Sequence, residues 1–208
     1  MPQTQYDLVI TQGKTFTVPF LWATSPYIYK AITAVSNIAP LTITSTAHGL
    51  TDGWPVWIVG AGGLVARTGF VVLNTVNAKT SPPKVDDIHY VSVTDTDTVT
   101  LNNVNGEILT AYTSGGYIQY LTPVVLTGFS ARLTIKDRAG GTTLWAGTSD
   151  AGNITVNNTT KKITLTITAT ETAAFTFLRG VYDLELDNGT EVHLLSFGNV
   201  TVIKEVTA

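Results

Sequence analysis

Apolar residues alternate with polar ones in short runs, and the clearest run lies in the last quarter of the chain. In KKITLTITATETAAF, Ile163, Leu165 and Ile167 alternate with Thr164, Thr166 and Thr168, the period of a strand with one buried face. TATETAAF then breaks the period. Thr170 can cap a short turn opened by Glu171 and Thr172, so one or two helical turns bridge to the next strand. After Gly180, Tyr182, Leu184 and Leu186 face one way while Asp183, Glu185 and Asp187 face the other; Val192 and Leu194 form the apolar face of the run that follows. Asn188-Gly189 marks a turn between them. Pairing Leu186 with Val192 and Leu184 with Leu194 keeps the apolar faces together and requires a loop with an odd number of residues. That register sets His193 across from Glu185 as an exposed polar pair on the outer face.

The start of the chain shows the same alternation. Tyr6, Leu8 and Ile10 share one parity, and after Gln12-Gly13 the residues Phe16, Val18, Phe20 and Trp22 share another, which predicts two strands joined through a glycine-containing bend. Pro19 lacks a backbone donor and belongs at an edge or a bulge, where a partner can add. Phe129, Ala131, Leu133 and Ile135 alternate near the start of the third piece, with further short strands at Leu144-Trp145 and Ile154 to Val156.

Between about residues 31 and 120 the texture changes. Short strands are expected at Ala31–Val35, Leu41–Ser45, Val56–Val59, Val71–Thr75, Ile88–Val93, Val99–Leu101 and Gly116–Tyr120. The turns between them are HGLTDGWP, GAGG and a TDTD hairpin, and Asn77 to Asp87, with Pro82-Pro83, reads as a long exposed loop. Charge marks the same boundaries. The middle piece holds Arg67, Lys79 and Lys84 against Asp52, Asp86, Asp87, Asp95, Asp97 and Glu107, so it carries the whole of the chain's net charge of −3. Neither flank can close a sandwich alone, because the first supplies only two strands. The pattern therefore predicts an all-β protein: one discontinuous β-sandwich from residues 1–30 and 121–208, with a second small β-domain, 31–120, inserted between two of its strands. Domain ends that lie close together make such insertion cheap.

Composition supports this class and narrows the chemistry. The 37 threonines among 208 residues favour strands. The absence of cysteine removes disulfides, thiolate metal sites and thiol nucleophiles. Net acidity and the lack of a basic cluster argue against nucleic acid, and no long apolar run calls for a membrane. No charged-then-hydrophobic leader is seen, so export is expected by lysis or by assembly into something larger.

His48, His89 and His193 are not spaced as metal ligands, and Asp86, Asp87, Asp95 and Asp97 match no calcium loop. No GxSxG elbow is present, Asp183 and Glu185 sit on a flat exposed face, and Gly60-Ala61-Gly62-Gly63 lacks the phosphate-loop lysine. No catalytic, cofactor-binding or metal-binding residue is expected, and the protein is read as not an enzyme. The candidates for contact are Pro19, the exposed loop at Pro82 and Pro83, and the tryptophans Trp54 and Trp57. Core packing is the commoner use of a tryptophan, but the opposite parity of these two leaves room for one to reach a protein interface or a glycan.

Two stretches carry a resemblance. YDLVITQGKTFTVPFLW together with LTGFSARLTIKD, KKITLTITATETAAF, GVYDLELDNGTEVHLLSFGNVTV and the terminal KEVT resembles small virion proteins of tailed bacteriophages, with an immunoglobulin-like fold similar to the N-terminal domain of lactococcal-phage baseplate upper proteins. The middle piece, with ITAVSNIAPLTITSTAHGLTDG, VWIVGAGG, TDTDTVTL and AYTSGG, is similar to inserts found in tail proteins, departing from their pattern at Arg67 to Phe70. The resemblance implies a structural protein of the virion, assembled in the host cytoplasm and docked on a ring or tube in the tail, baseplate or head–tail neck. Its implied partners are other virion proteins, in multiple copies of a symmetric assembly. The competing implication is a receptor- or glycan-binding module displayed on the tail, with a host surface glycan as partner.

Overall fold

The computed structural model describes residues 4–65 and 87–205. In chain order these carry β1 (Thr4–Gln5), β2 (Leu8–Thr11), β3 (Phe16–Leu21), β4 (Ala23–Ala31), β5 (Ala34–Ser36), β6 (Leu41–Thr44), β7 (Pro55–Val59), β8 (His89–Val93), β9 (Thr98–Leu101) and β10 (Tyr117–Pro123). The order continues with β11 (Ser130–Lys136), β12 (Thr143–Thr148), β13 (Ile154–Asn157), β14 (Lys162–Ile167), helix α1 (Ala169–Ala173), β15 (Arg179–Asp187) and β16 (Val192–Ile203). The fold is all-β with curled, open sheets. It divides into two compact units, Met1–Ala23 with Pro123–Ala208, and Thr24–Thr122.

In the first unit a six-stranded sheet runs β1-β16-β15-β11-β12, with β2 also on β16, and a three-stranded sheet runs β13-β14-β3. Alternation decides which residues meet inside. β11 and β15 pair Ala131 with Leu186, Leu133 with Leu184 and Ile135 with Tyr182, all buried, while Ile163, Leu165 and Ile167 of β14 enter the same core. Each such Leu or Ile contributes about 1.5–3 kcal/mol on burial. The first strands complete both sheets. β2 lies parallel to β16, with Leu8 beside Val200 and Ile10 beside Val202, whereas β3 lies antiparallel to β14, with Val18 beside Leu165 and Phe20 beside Ile163. The bend at Gly13, φ 74°, carries the chain from one sheet to the other.

Two local expectations are corrected. The loop between β15 and β16 has an even number of residues, Asn188 to Glu191, because Asp187 pairs with Val192; Leu186 then faces His193, and Val192 is exposed. The Asn188 side chain accepts the Thr190 and Glu191 N–H groups at 3.0 and 2.8 Å and stabilises that loop. A bulge that leaves Leu195 unpaired between Leu194 and Ser196 restores the inner face, so that Ser196, Val200 and Val202 are buried. The helix cap is Thr168, not Thr170. Glu171 stands three residues after Thr168, and its carboxylate accepts the Thr168 N–H at 2.8 Å while its own N–H bonds the Thr168 hydroxyl, a reciprocal capping box.

The second unit is one seven-stranded sheet, β4-β10-β7-β8-β9-β6-β5. Leu41, Ile43, Val56, Ile58, Val91, Val99, Leu101 and Ile118 alternate into its core. The TDTD segment makes the expected hairpin, with Val93 opposite Val99 and the Thr94 N–H bonded to the Thr98 carbonyl. The boundary expected at residue 30 falls earlier, at Ala23, because β4 pairs with β10 and so belongs to the insert sheet. The expected strand Val71–Thr75, the departure at Arg67–Phe70 and nearly all of the Asn77–Asp87 loop lie outside the described residues.

Burial pushes the Glu171 carboxyl up, but bonds from the Thr168 N–H and hydroxyl, Trp145 and Asn153 outweigh it and hold the group below its ordinary value. Its contribution is therefore present above the unfolded-state carboxylate range and is lost as pH falls through the folded value. Thr168→Ala removes the box and should lower stability by about 1 kcal/mol in urea unfolding at neutral pH. The difference from the parent protein should shrink on acidification; an undiminished difference at low pH would count against this account of the cap.

Candidate interface

The five candidate contact residues fall in different settings. Pro19 lies in β3, the end strand of the three-stranded sheet, exposed between buried Val18 and Phe20 and opposite Thr164. The edge position is the one its missing N–H dictates. The same feature interrupts the row of donors that an added strand would use, so Pro19 blunts this edge and offers its ring surface instead.

Trp54 and Trp57 are both buried, at 1% and 7% exposure, which corrects the reading of either as a surface contact. Parity misleads here because β7 is internal to its sheet and covered on both faces: Val56, Trp57, Ile58 and Val59 are all buried. Tyr27 packs edge-on against Trp57, with ring centroids 5.9 Å apart. The indole nitrogen of Trp54 and the hydroxyl of Ser45 have no hydrogen-bond partner among the described residues. Pro82 and Pro83 lie outside the described residues.

His48, His193 and the carboxylates of Asp95, Asp97 and Glu185 are engaged structurally. His48 is 1% exposed; its Nδ1 accepts the Leu50 N–H at 3.0 Å, so its Nε2 carries the hydrogen and donates to the Asp95 carbonyl at 3.0 Å. Tyr120 donates its hydroxyl to the His48 carbonyl, and burial pushes that phenol up to about 12. The Asp95 carboxylate accepts the Asp97 N–H at 2.8 Å, and the Asp97 carboxylate accepts the Ala47 N–H at 2.7 Å, so both fasten the hairpin. His193 is corrected from an outer-face partner of Glu185: its ring packs against Trp22 at 4.9 Å and Phe129 at 6.0 Å, and Glu191 lies 3.2 Å away. Glu185 pairs instead with Arg132 at 2.6 Å. No group of three or more potential metal-ligating His, Asp or Glu residues occurs among the described residues, and no helix there is long and apolar enough to cross a membrane.

The outer face of the six-stranded sheet, expected to be flat at Asp183, is concave there. An open cleft of about 390 Å³ lies there, lined by Gln5, Thr134, Lys136, Asp183, Phe197 and Asn199, with the turn at Ala139-Gly140 on its rim. Thr134, Asp183 and Phe197 form one rung across β11, β15 and β16. Phe197 faces outward because the bulge at Leu195 shifts the parity of the rest of β16. A sequence signal existed in the even spacing of Ser196, Gly198, Val200 and Val202, which puts Phe197 on the opposite face. No protein-family model matches the chain, and no curated protein matches it.

Two measurements follow from the buried polar groups. Ser45→Ala removes a hydroxyl that gains no bond on burial and should raise stability by roughly 1 kcal/mol; a loss of similar size would mean the hydroxyl is satisfied. Burial also pushes the Tyr182 phenol up to about 12, the Ser196 bond opposing this in part. Raised folded-state values mean that Tyr120 and Tyr182 give full stability below pH 10 and lose it as pH rises from about 10 to about 12. Tyr182→Phe should flatten that alkaline decline in a series of unfolding curves, whereas an unchanged decline would refute it.

Proposed function

We propose that the protein is a structural component of a tailed-bacteriophage virion, built into the tail, baseplate or head–tail neck through an immunoglobulin-like sandwich. The observation that carries this reading is that the resembling segments fall on strands of one compact unit. YDLVI contains β2, TFTVPFL contains β3, and SARLTIK, KITLTI, VYDLELD and VHLLSFGNVTV account for β11, β14, β15 and β16. Support for the immunoglobulin-like class comes from two facing sheets, one mixed and one antiparallel, an opening strand parallel to the last, and a chain that crosses between sheets from β2 to β3. The insert leaves after β3 and returns before β11.

In this reading the sandwich docks on a ring or tube of other virion proteins, in many copies. Modest contacts then suffice, because repetition around a symmetric ring converts weak sites into tight assembly. The reading assigns no catalytic residue. Purified virions should contain this chain, traceable in an electron-microscopy map as a repeated subunit with the sandwich against a ring or tube. Its absence from the particle by mass spectrometry would end the proposal.

A further inference from the structure

We propose that the cleft on the outer face of the six-stranded sheet is a binding site for a neutral saccharide. This inference rests on the cleft alone and not on assembly into a virion. Phe197 is half-buried in the cleft, leaving part of an aromatic ring in contact with solvent, and Thr134, Asp183, Asn199 and Gln5 place hydroxyl, carboxylate and amide groups around it. A sugar ring has a C–H face that packs on an aromatic surface and a rim of hydroxyls that bond to groups of this kind.

The other occupants fit less well. An extended peptide is held mainly through backbone bonds to an open strand edge. Most of the floor is made by β11, β15 and β16, each flanked by strands on both sides, so their backbone groups are engaged in ladders; the end strand β1 contributes only Gln5. An anion such as phosphate would require net positive charge. Lys136 is matched in the cleft by Asp183, and neither forms an ion pair with any described residue. A hard cation needs several oxygen ligands, and Asp183 brings the only carboxylate among the lining residues. A second copy of the same face would present concave surface to concave surface. The volume, about 390 Å³, is in the range of sites for small ligands. Lys136 and Asp183 stand on adjacent strands one rung apart, so the ammonium and the carboxylate can each bond a different hydroxyl of one ring.

The test is an amide-resolved NMR titration of the full chain with three neutral trisaccharides, maltotriose, cellotriose and triacetylchitotriose, and with triglycine as the peptide control. At least one sugar should shift the Thr134, Asp183 and Phe197 amides with a Kd of about 1 mM or tighter. Asp183→Asn and Phe197→Ala should each weaken that binding by about tenfold, and Phe197→Trp should retain it. Unchanged urea midpoints would establish that the variants fold, and Asp183→Asn at an exposed position serves if Phe197→Ala does not. The proposal is overturned if none of the three sugars moves these amides, if the affinity is the same in Asp183→Asn, or if triglycine binds there in their place.

Discussion

The parallel ladder between β2 and β16 is the constraint on which the sandwich depends. Residues at opposite ends of the sequence, Leu8 with Val200 and Ile10 with Val202, are held side by side, and their buried side chains enter the core that β11 and β15 also build. The pairing closes almost the whole chain into a loop, and loop-closure entropy grows only with the logarithm of length. Burial of four apolar side chains outweighs that slow growth. Without β2 the last strand would have an open edge from Val200 to Ile203, and without β3 the central strand β14 would lose one of the two strands that flank Ile163 and Leu165.

The insert is compatible with this closure because the chain leaves and returns at neighbouring points. The Val124 N–H donates to the Trp22 carbonyl at 3.0 Å, so the residues that bracket the insert are already bonded to each other inside the sandwich. Polar side chains fasten the remaining seams. Tyr182 donates to the Tyr6 carbonyl at 2.7 Å, joining β15 to the kink between β1 and β2. Gln12 donates to the carbonyls of Ala173 and Phe175 at 3.1 and 3.0 Å, where the end of α1 leaves carbonyls without helical partners. The Asp7 carboxylate accepts the Asn199 N–H at 2.8 Å and replaces a ladder bond where the N-terminal strand breaks.

Strand existence was legible wherever one face is buried, because period-two alternation follows directly from burial. Leu133 and Ile135, Ile163 to Ile167, and Tyr182 to Leu186 all lie where alternation puts them. Two of the departures share a cause: alternation assumes an uninterrupted strand with one wet face. The bulge at Leu195 breaks the first assumption, so the turn register and the place of His193 were misread. β7 breaks the second, because covering both faces buries Trp57 together with Val56 and Ile58, and Trp54, just before the strand, is buried as well. The cap was missed for a different reason. Thr168 and Thr170 are chemically equal, and only the distance to Glu171 separates them. Periodicity could place Phe197 on the outer face but not the cleft around it, which also takes the turn at Ala139-Gly140 among its lining residues.

The central claim is that the two ends of the chain belong to one cooperative sandwich. Native-state hydrogen exchange on the full chain tests it most directly, comparing the parent protein with a Leu184→Ala variant that removes a fully buried side chain from β15. That substitution should cost about 2–5 kcal/mol. Amides of β2, β3, β14 and β16 should lose protection together by that amount, as one unit opening cooperatively. If the β2 and β3 amides keep their protection while β14 and β16 lose theirs, the opening strands are not part of that sandwich and the account fails.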